Sequence, residues 1–246
     1  MSEKPLVTTA AHAAFPATQW SLVLRASQGS SAEAVNALEM LCRNYWASLH
    51  AYARRDGLSP HDAQDVTQEF LAHLLRRDDL ASVSRDKGRF RSFLLVALKN
   101  FLVSRARAGQ ALKRGGSAEA IALDVEEAEE LCRPELTEKL TPDKAFDRRW
   151  ALTIMAHALE SLGKEYKSPQ QARLFAALQP VLADSGRMQN QAALAAELGV
   201  TPGALATAAT RLRQRYRALI EEEVKSTLEN PADLAEEMRA LREAWS

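Results

Sequence analysis

Residues 191–219 read QAALAAELGVTPGALATAATRLRQRYRAL, and this stretch predicts two helices joined by a tight turn. Gly199 stands where such a turn needs a left-handed backbone, which glycine adopts at little cost. Thr201 and Pro202 then form a helix start, because the threonine side chain accepts from an unpaired amide and proline has no amide to leave unpaired. Small Ala195 lets the two helices cross closely. The buried positions expected between them are Leu194, Leu198, Val200, Leu205 and Ala208.

This helix-turn-helix pattern is compatible with DNA binding. In a motif that reads DNA, the first turns of the second helix enter the major groove and nearby basic side chains hold phosphates. The groove-facing residues would be Gly203, Ala204, Ala206, Thr207 and Thr210, and the phosphate-holding residues Arg211, Arg213 and Arg215. Because the first set is small and apolar, we expect few hydrogen bonds to bases and contacts to thymine methyl groups. An ordinary helical hairpin with an arginine-rich solvated face remains an alternative.

The same helix-start signal recurs along the chain, at Ser59-Pro60, Thr141-Pro142, Ser168-Pro169 and Asn230-Pro231. Nowhere does the sequence sustain the alternation of apolar and polar residues that is typical of a half-buried strand. We therefore expect an all-α fold. With 246 residues, 46% of them hydrophobic, the chain can build a real core in one large domain or two small ones.

Charge is distributed unevenly, although Lys plus Arg (32) equals Asp plus Glu (32). Residues 80–115 hold nine basic residues and one acid, whereas residues 116–143 hold nine acids and two basic residues. A basic helical region followed by an acidic, weakly periodic one indicates a domain and then a linker. The predicted parts are a tail (1–19), a first helical domain (20–114), an acidic linker (115–144), a second helical domain (145–228) and a C-terminal amphipathic helix (229–246).

The first domain contains two segments whose charges point to binding. Residues 59–75 form an amphipathic helix with a buried stripe and, opposite it, the acidic residues Asp62, Asp65 and Glu69, with Gln68 beside them. A solvated face, favourable to the helix dipole, is the simpler interpretation. The basic loop 84–92 then leads into a helix whose polar flank bears Arg91, Lys99, Asn100, Arg105 and Arg107. Such a cationic surface suits single-stranded DNA, although a merely basic helix with core phenylalanines is the alternative.

Taken in order, these segments resemble the extracytoplasmic-function (ECF) class of bacterial RNA polymerase sigma factors, over almost the whole chain. The stretches with the resemblance are TQWSLVLRA (18–26), DAQDVTQEF (62–70), RDKGRFRSFLLVALKNFL (85–102), KRGG (113–116), TPDKAFDRRWA (141–151) and RLRQRYR (211–217). The resemblance implies two helical domains: one docks on polymerase and opens and reads the −10 element, and the other reads the −35 element through the helix-turn-helix. It implies no catalytic activity.

The resemblance also assigns residues. Docking on the clamp of the polymerase's largest subunit falls to Asp62, Gln64, Asp65, Gln68 and Glu69. Contact with the melted −10 strand falls to Arg85, Lys87, Arg89, Arg91, Lys99, Asn100, Arg105 and Arg107. The helix over 202–217 reads the −35 element in duplex DNA, next to the polymerase flap. The implied partners are therefore core RNA polymerase and promoter DNA, both duplex and melted.

Three departures from the family pattern bear on these roles. Gln64 stands where the docking motif usually has glutamate, which weakens docking on charge grounds. Phe93 replaces the tryptophan that many members have at the start of the melting helix. Ala206 and Ala208 stand where a basic or larger polar residue is frequent, so the −35 preference stays open.

Regulation has two candidates in the sequence. Thr67 lies in the docking helix near Gln64, and phosphate there would add roughly −1.5 to −2 charge. Because some subgroups of the family are controlled by Ser/Thr kinases, the resemblance makes Thr67 the candidate phosphorylation site; a threonine packed at the edge of the stripe is the alternative. The C-terminal helix, for its part, could dock on a domain of the same chain and restrain it. The regulatory partner would be a Ser/Thr kinase or an anti-sigma protein.

Other classes of protein are less compatible with the sequence. No nucleophile–base pair, metal-ligand spacing or phosphate-binding glycine loop is apparent, so we expect neither an enzyme nor a cofactor. Two isolated cysteines, Cys42 and Cys132, and no apolar run of membrane-spanning length indicate a cytoplasmic protein without membrane contact. Two rivals remain: a stand-alone helix-turn-helix regulator that binds palindromic duplex DNA as a dimer, and a helical adaptor that binds proteins.

Overall fold

The computed structural model describes residues 32–76, 89–109, 125–137, 139–183, 191–228 and 230–245. Within these ranges the chain forms helices and no strand, which confirms the all-α prediction. The α-helices are α1 (Ala32–Arg55), α2 (Pro60–Arg76), α3 (Phe90–Gly109), α4 (Val125–Thr137), α5 (Pro142–Glu165), α6 (Pro169–Leu178), α7 (Pro180–Ala183), α8 (Gln191–Glu197), α9 (Pro202–Ser226) and α10 (Leu234–Trp245). A 3-10 turn, Pro231–Asp233, precedes α10.

Every predicted cap-and-proline pair begins a helix. Ser59 Oγ accepts from the Asp62 amide at 3.1 Å, so α2 begins at Pro60. Ser168 forms a full capping box with Gln171 at the start of α6. The remaining caps are Thr141 for α5, Thr201 for α9 and Asn230 for the 3-10 turn. Because each cap satisfies an amide that has no partner within its helix, these five helix starts could be predicted from the sequence alone.

Helix α5 lies at the centre of the fold. It packs against α1, α4, α9 and α10, and it contributes the buried side chains of Phe146, Trp150 and Ile154 to one continuous core. Helix α1 contributes the buried side chains of Tyr45, Trp46 and Leu49 to this core. Since α1 belongs to the first expected domain and α5 to the second, helices from both expected domains share this core.

The segment expected to be an acidic linker contains helix α4, which packs against α1, α2 and α5. Ala128 and Cys132 are fully buried there, and the Cys132 thiol donates to the Ala47 carbonyl at 3.5 Å. Glu129 accepts from Arg54 Nε at 2.6 Å. The linker interpretation missed this packing because the apolar stripe of α4 is short and stands among acidic residues: it consists of Ala128, Cys132 and half-buried Leu136.

Candidate nucleic-acid and partner interfaces

The acidic face of α2 is exposed, as the sequence predicts. Asp62 also belongs to the helix cap, because Ser59 Oγ donates to its carboxylate at 2.6 Å. Glu69 accepts from Arg105 of α3 at 3.1 Å. Asp65 is exposed and forms no ion pair with a described residue. Gln64 and Gln68 flank this face and are half-buried, so Asp65 is the carboxylate most available to a partner.

Thr67 lies on the opposite side of α2. Its side chain is fully buried, beside Val66 and near Phe70, and its hydroxyl donates to the Ala63 carbonyl at 2.7 Å. The sequence placed this threonine in the docking region or at the edge of the apolar stripe, but it lies within the stripe. In this conformation the hydroxyl is out of reach of any enzyme.

Helix α3 has an exposed face that the sequence only partly predicted. Val96 and Val103 are 58% and 50% exposed, and they lie in line with exposed Asn100 and Arg107 at helical spacings of four, three and four residues. We call these four residues the α3 strip. Asn100 and Arg107 were expected from the sequence, whereas the two valines were missed, although their spacing from Asn100 would have revealed them.

Other basic residues assigned to the melted strand are partly engaged or outside the described residues. Lys99 pairs with Asp143 at the start of α5, and Arg105 pairs with Glu69 of α2. Both side chains remain more than a third exposed. Arg85 and Lys87 lie outside the described residues.

Arg89 and Arg91, at the start of α3, are held by carboxylates of α10. Arg91 donates to both carboxylate oxygens of Glu237, from Nε at 2.9 Å and from Nη2 at 3.2 Å, and its Nη1 pairs with Asp147 of α5. Arg89 lies 3.3 Å from Glu237 and also pairs with Glu236. These two arginines, assigned to DNA by sequence, therefore already have anionic partners.

The surroundings of Arg91 favour its charged form. Burial by itself lowers the pKa of the Arg91 guanidinium, but hydrogen bonds and charge from Glu237 and Asp147 outweigh it and raise the pKa above its usual value. The guanidinium also lies 4.6 Å from the ring centroid of Trp150, a favourable cation–π distance. For Glu236, the hydrogen bond and charge of Arg89 lower the pKa of the carboxyl.

The helix-turn-helix forms as predicted. Gly199 has a φ of 66°, and the Thr201 side chain accepts from the Ala204 amide at 3.2 Å. Ala195 and Leu205 are buried where the helices cross. The other predicted buried positions are half-buried: Leu194, Leu198, Val200 and Ala208. The buried alanine of α9 is Ala209.

The angle between α8 and α9 is 97°, within the range for helix-turn-helix motifs. No single described helix is long and apolar enough to cross a bilayer. Among the described helices, only this bent pair, α8 with α9, reaches such a length and composition.

The first turns of α9 present a small, exposed surface. All five predicted groove-facing residues are exposed: Gly203, Ala204, Ala206, Thr207 and Thr210. Of the predicted phosphate-holding residues, Arg213 donates to the Val181 carbonyl at 3.3 Å, and Arg215 pairs with Glu165 at 2.7 Å and with Glu222. Arg211 is exposed and has no ion pair with a described residue. Arg211 is therefore the predicted phosphate contact that is most accessible.

The described residues contain no group of three or more His, Cys, Asp or Glu side chains that could hold a metal ion.

A family model described as ECF sigma factor matches residues 30–185, which include α1 to α7. No curated protein and no solved structure matches the chain significantly. Helices α8 to α10 lie beyond the matched residues.

Proposed function

The chain belongs to the ECF sigma factor family, whose members are non-catalytic factors that act in transcription initiation, and we propose that it docks on core RNA polymerase through the acidic face of α2. That docking would position two DNA-binding surfaces, the α3 strip on the −10 element and the start of α9 on the −35 element. The polymerase contacts are the clamp of the largest subunit for α2 and the flap for the helix-turn-helix.

The observation that supports this proposal most directly is the exposed face of α2. One side of α2 is packed into the core through Val66, Phe70 and Leu74, whereas the opposite, acidic side is exposed. Asp65 nevertheless presents a charge there without an ion pair to a described residue. A stand-alone regulator that bound only DNA would have no use for this carboxylate, whereas a cationic polymerase surface would.

For the −10 element, the α3 strip has the two chemistries that a melted strand requires. Exposed Val96 and Val103 offer apolar surface to unstacked bases, and Arg107 offers charge to phosphates. Asn100, between the valines, has an amide that can donate to and accept from a base edge. Flipped bases bound here would offset the cost of unstacking, a few kcal/mol per step.

For the −35 element, the small residues at the start of α9 allow the helix to approach base edges closely. Thr207 and Thr210 donate their hydroxyls to carbonyls of their own helix, Gly203 and Ala206, at 3.0 Å each. These hydroxyl protons are therefore already used, so we expect apolar contacts to thymine methyl groups and a phosphate contact from Arg211.

A phosphorylation switch at Thr67 is the finer part of the proposal. Because the hydroxyl is buried, a kinase would act only on a chain in which α2 has opened locally from the core. Phosphate would then keep that side of α2 out of the core and add negative charge near Gln64, where this docking face lacks a carboxylate. Equal polymerase affinity of Thr67→Glu and Thr67→Ala would remove the switch, and an anti-sigma protein would be the remaining candidate regulator.

The proposal is tested by capture of core polymerase on the immobilised chain. Asp65→Lys should reduce captured polymerase about tenfold or more, because it reverses the available charge at the docking face. Glu243→Lys is the matched control: Glu243 is an exposed acid on α10 with no ion pair to a described residue. Run-off transcription on a candidate promoter then checks initiation.

Failure of both the unmodified chain and Thr67→Glu to capture core polymerase would contradict the proposal. Dimeric binding to palindromic duplex DNA would then support the stand-alone regulator instead.

A further inference from the structure

Glu237 of α10 is an unusual carboxylate, because it is only 1% exposed. A buried charge is costly unless it is paired and hydrogen-bonded. Glu237 meets this requirement: Arg91 donates a hydrogen bond to each of its carboxylate oxygens, and Arg89 Nε lies 3.3 Å from Oε2. The position of α10 is therefore fixed by two arginines at the start of α3 as well as by apolar packing.

The apolar side chains of α10 pack against helices other than α3. Leu241 is buried and Met238 half-buried, and the helix packs against α5 and α9. Helix α10 thus connects the first turn of α3 with the recognition helix of the helix-turn-helix. While it is docked, the two proposed DNA surfaces are held in one compact unit.

The geometry of the contact resembles that of a bound phosphate. An arginine fork donates two parallel hydrogen bonds to a carboxylate in the same way as to a phosphate group. Glu237 occupies that fork on Arg91, and Glu236 supplies a second anionic group to Arg89. Two neighbouring carboxylates on two neighbouring arginines are the arrangement expected of a stand-in for a nucleic-acid backbone.

We propose that Glu236 and Glu237 are an intramolecular competitor of nucleic acid: they hold Arg89 and Arg91 in the free protein, and the phosphates of a single strand displace them. This inference rests on the proposed function in one respect, the contact of α3 with melted DNA. It adds that the free chain is closed and that α10 must leave before Arg89 and Arg91 can bind the strand.

The expected effect follows from the population of the open form. When only a fraction of molecules can bind, the apparent dissociation constant rises by the inverse of that fraction. If about one molecule in ten or fewer is open, then releasing α10 raises the apparent affinity for single-stranded DNA about tenfold or more.

The experiment measures binding of a fluorescein-labelled single-stranded oligothymidine, about 20 nucleotides long, to the full chain, by anisotropy at fixed salt. Glu237→Gln removes the charge and keeps the shape, and it should bind about tenfold more tightly than the unmodified chain. Glu236→Gln should give a smaller gain, because Glu236 is 61% exposed and its ion pair is with Arg89. The matched control, Glu243→Gln, removes the same charge from the same helix and should bind as the unmodified chain does.

A second change shows whether the gain passes through the arginines. Adding Arg91→Ala to Glu237→Gln should abolish most of the gain, since the fork that receives phosphate is then absent. Circular dichroism and thermal melting confirm that each variant is folded. If Glu237→Gln does not fold, the exposed Glu236→Gln decides the question by itself.

Unchanged oligonucleotide affinity in the folded variants would overturn the inference, and so would an equal gain in Glu243→Gln. Polymerase capture on the same variants separates this result from the proposed function. If the chain captures polymerase but the variants show no gain in oligonucleotide affinity, the proposed function stands and the competitor role of Glu236 and Glu237 is wrong. A gain without polymerase capture supports the competitor and contradicts the function.

Discussion

Arg91 connects three helices through one side chain. Arg91 lies in the first turn of α3, pairs with Glu237 of α10 and Asp147 of α5, and lies over the ring of Trp150. No sequence pattern predicts these contacts, because Arg91 and Glu237 are 146 residues apart and periodic spacing relates only residues of the same helix. The helix-turn-helix was predictable for the opposite reason: Gly199, Thr201 and Pro202 act on their own immediate neighbours.

We expect Arg91→Lys to destabilise the fold by about 1–3 kcal/mol, because a lysine cannot reproduce the two-pronged contact with buried Glu237. Urea unfolding of the full chain measures the change. Arg133→Lys is the control: Arg133 and its partner Glu130 are 67% and 63% exposed, and such pairs contribute little. Equal stability of Arg91→Lys and the unmodified chain would contradict the importance given to the fork.

Buried His50 should make stability depend on pH. Burial lowers the pKa of His50 below its usual 6.5, and this outweighs the opposing effect of the hydrogen bond with Glu129. The unfolded chain therefore binds a proton more readily than the folded one, so the contribution is present above about pH 6.5 and is lost as the pH falls through it. We expect thermal midpoints to fall between about pH 7 and pH 5, and to fall less in His50→Gln. An equal fall in His50→Gln and in the unmodified chain would contradict this role of His50.

Replacing a glycine by alanine should change stability in opposite directions at two positions near the turn between α8 and α9. Gly199 has a φ of 66°, and a side-chain carbon added there would meet nothing within 4 Å, so Gly199→Ala should cost about 1–2 kcal/mol through backbone conformation alone. Gly203 is equally open but lies inside helix α9, so Gly203→Ala should stabilise by up to about 1 kcal/mol. Chemical denaturation compares the two. A loss at both positions would mean that the turn is not the cause.

Helix α4 illustrates why an acidic segment is hard to interpret from sequence. Its buried Glu135 lies 3.8 Å from Arg149 of α5, and its Glu129 contacts His50 and Arg54 of α1. Each of these acidic side chains faces a basic side chain on another helix, whereas the sequence around α4 shows only a series of negative charges. Helix α2 was predictable because its apolar residues recur at helical spacing and the cap Ser59 precedes them.

Because α1 and α5 share a core, we expect the chain to unfold in one cooperative step rather than as two domains. Circular dichroism reports on all helices, and tryptophan fluorescence reports on the core through buried Trp46 and Trp150. The two probes should give coincident denaturation curves. Two separate transitions would show that the expected domains are energetically independent.

The buried thiol of Cys132 offers a way to time the separation of α4 from α1. Burial raises the pKa of Cys132 to about 12 and that of Cys42 to about 11, so neither is a thiolate at neutral pH. An alkylating reagent should therefore modify Cys132 only in molecules whose α4 has separated from α1. Because half-buried Cys42 can also react, alkylation by iodoacetamide is followed on the peptide that contains Cys132. Its rate would then measure that separation without any engineered label.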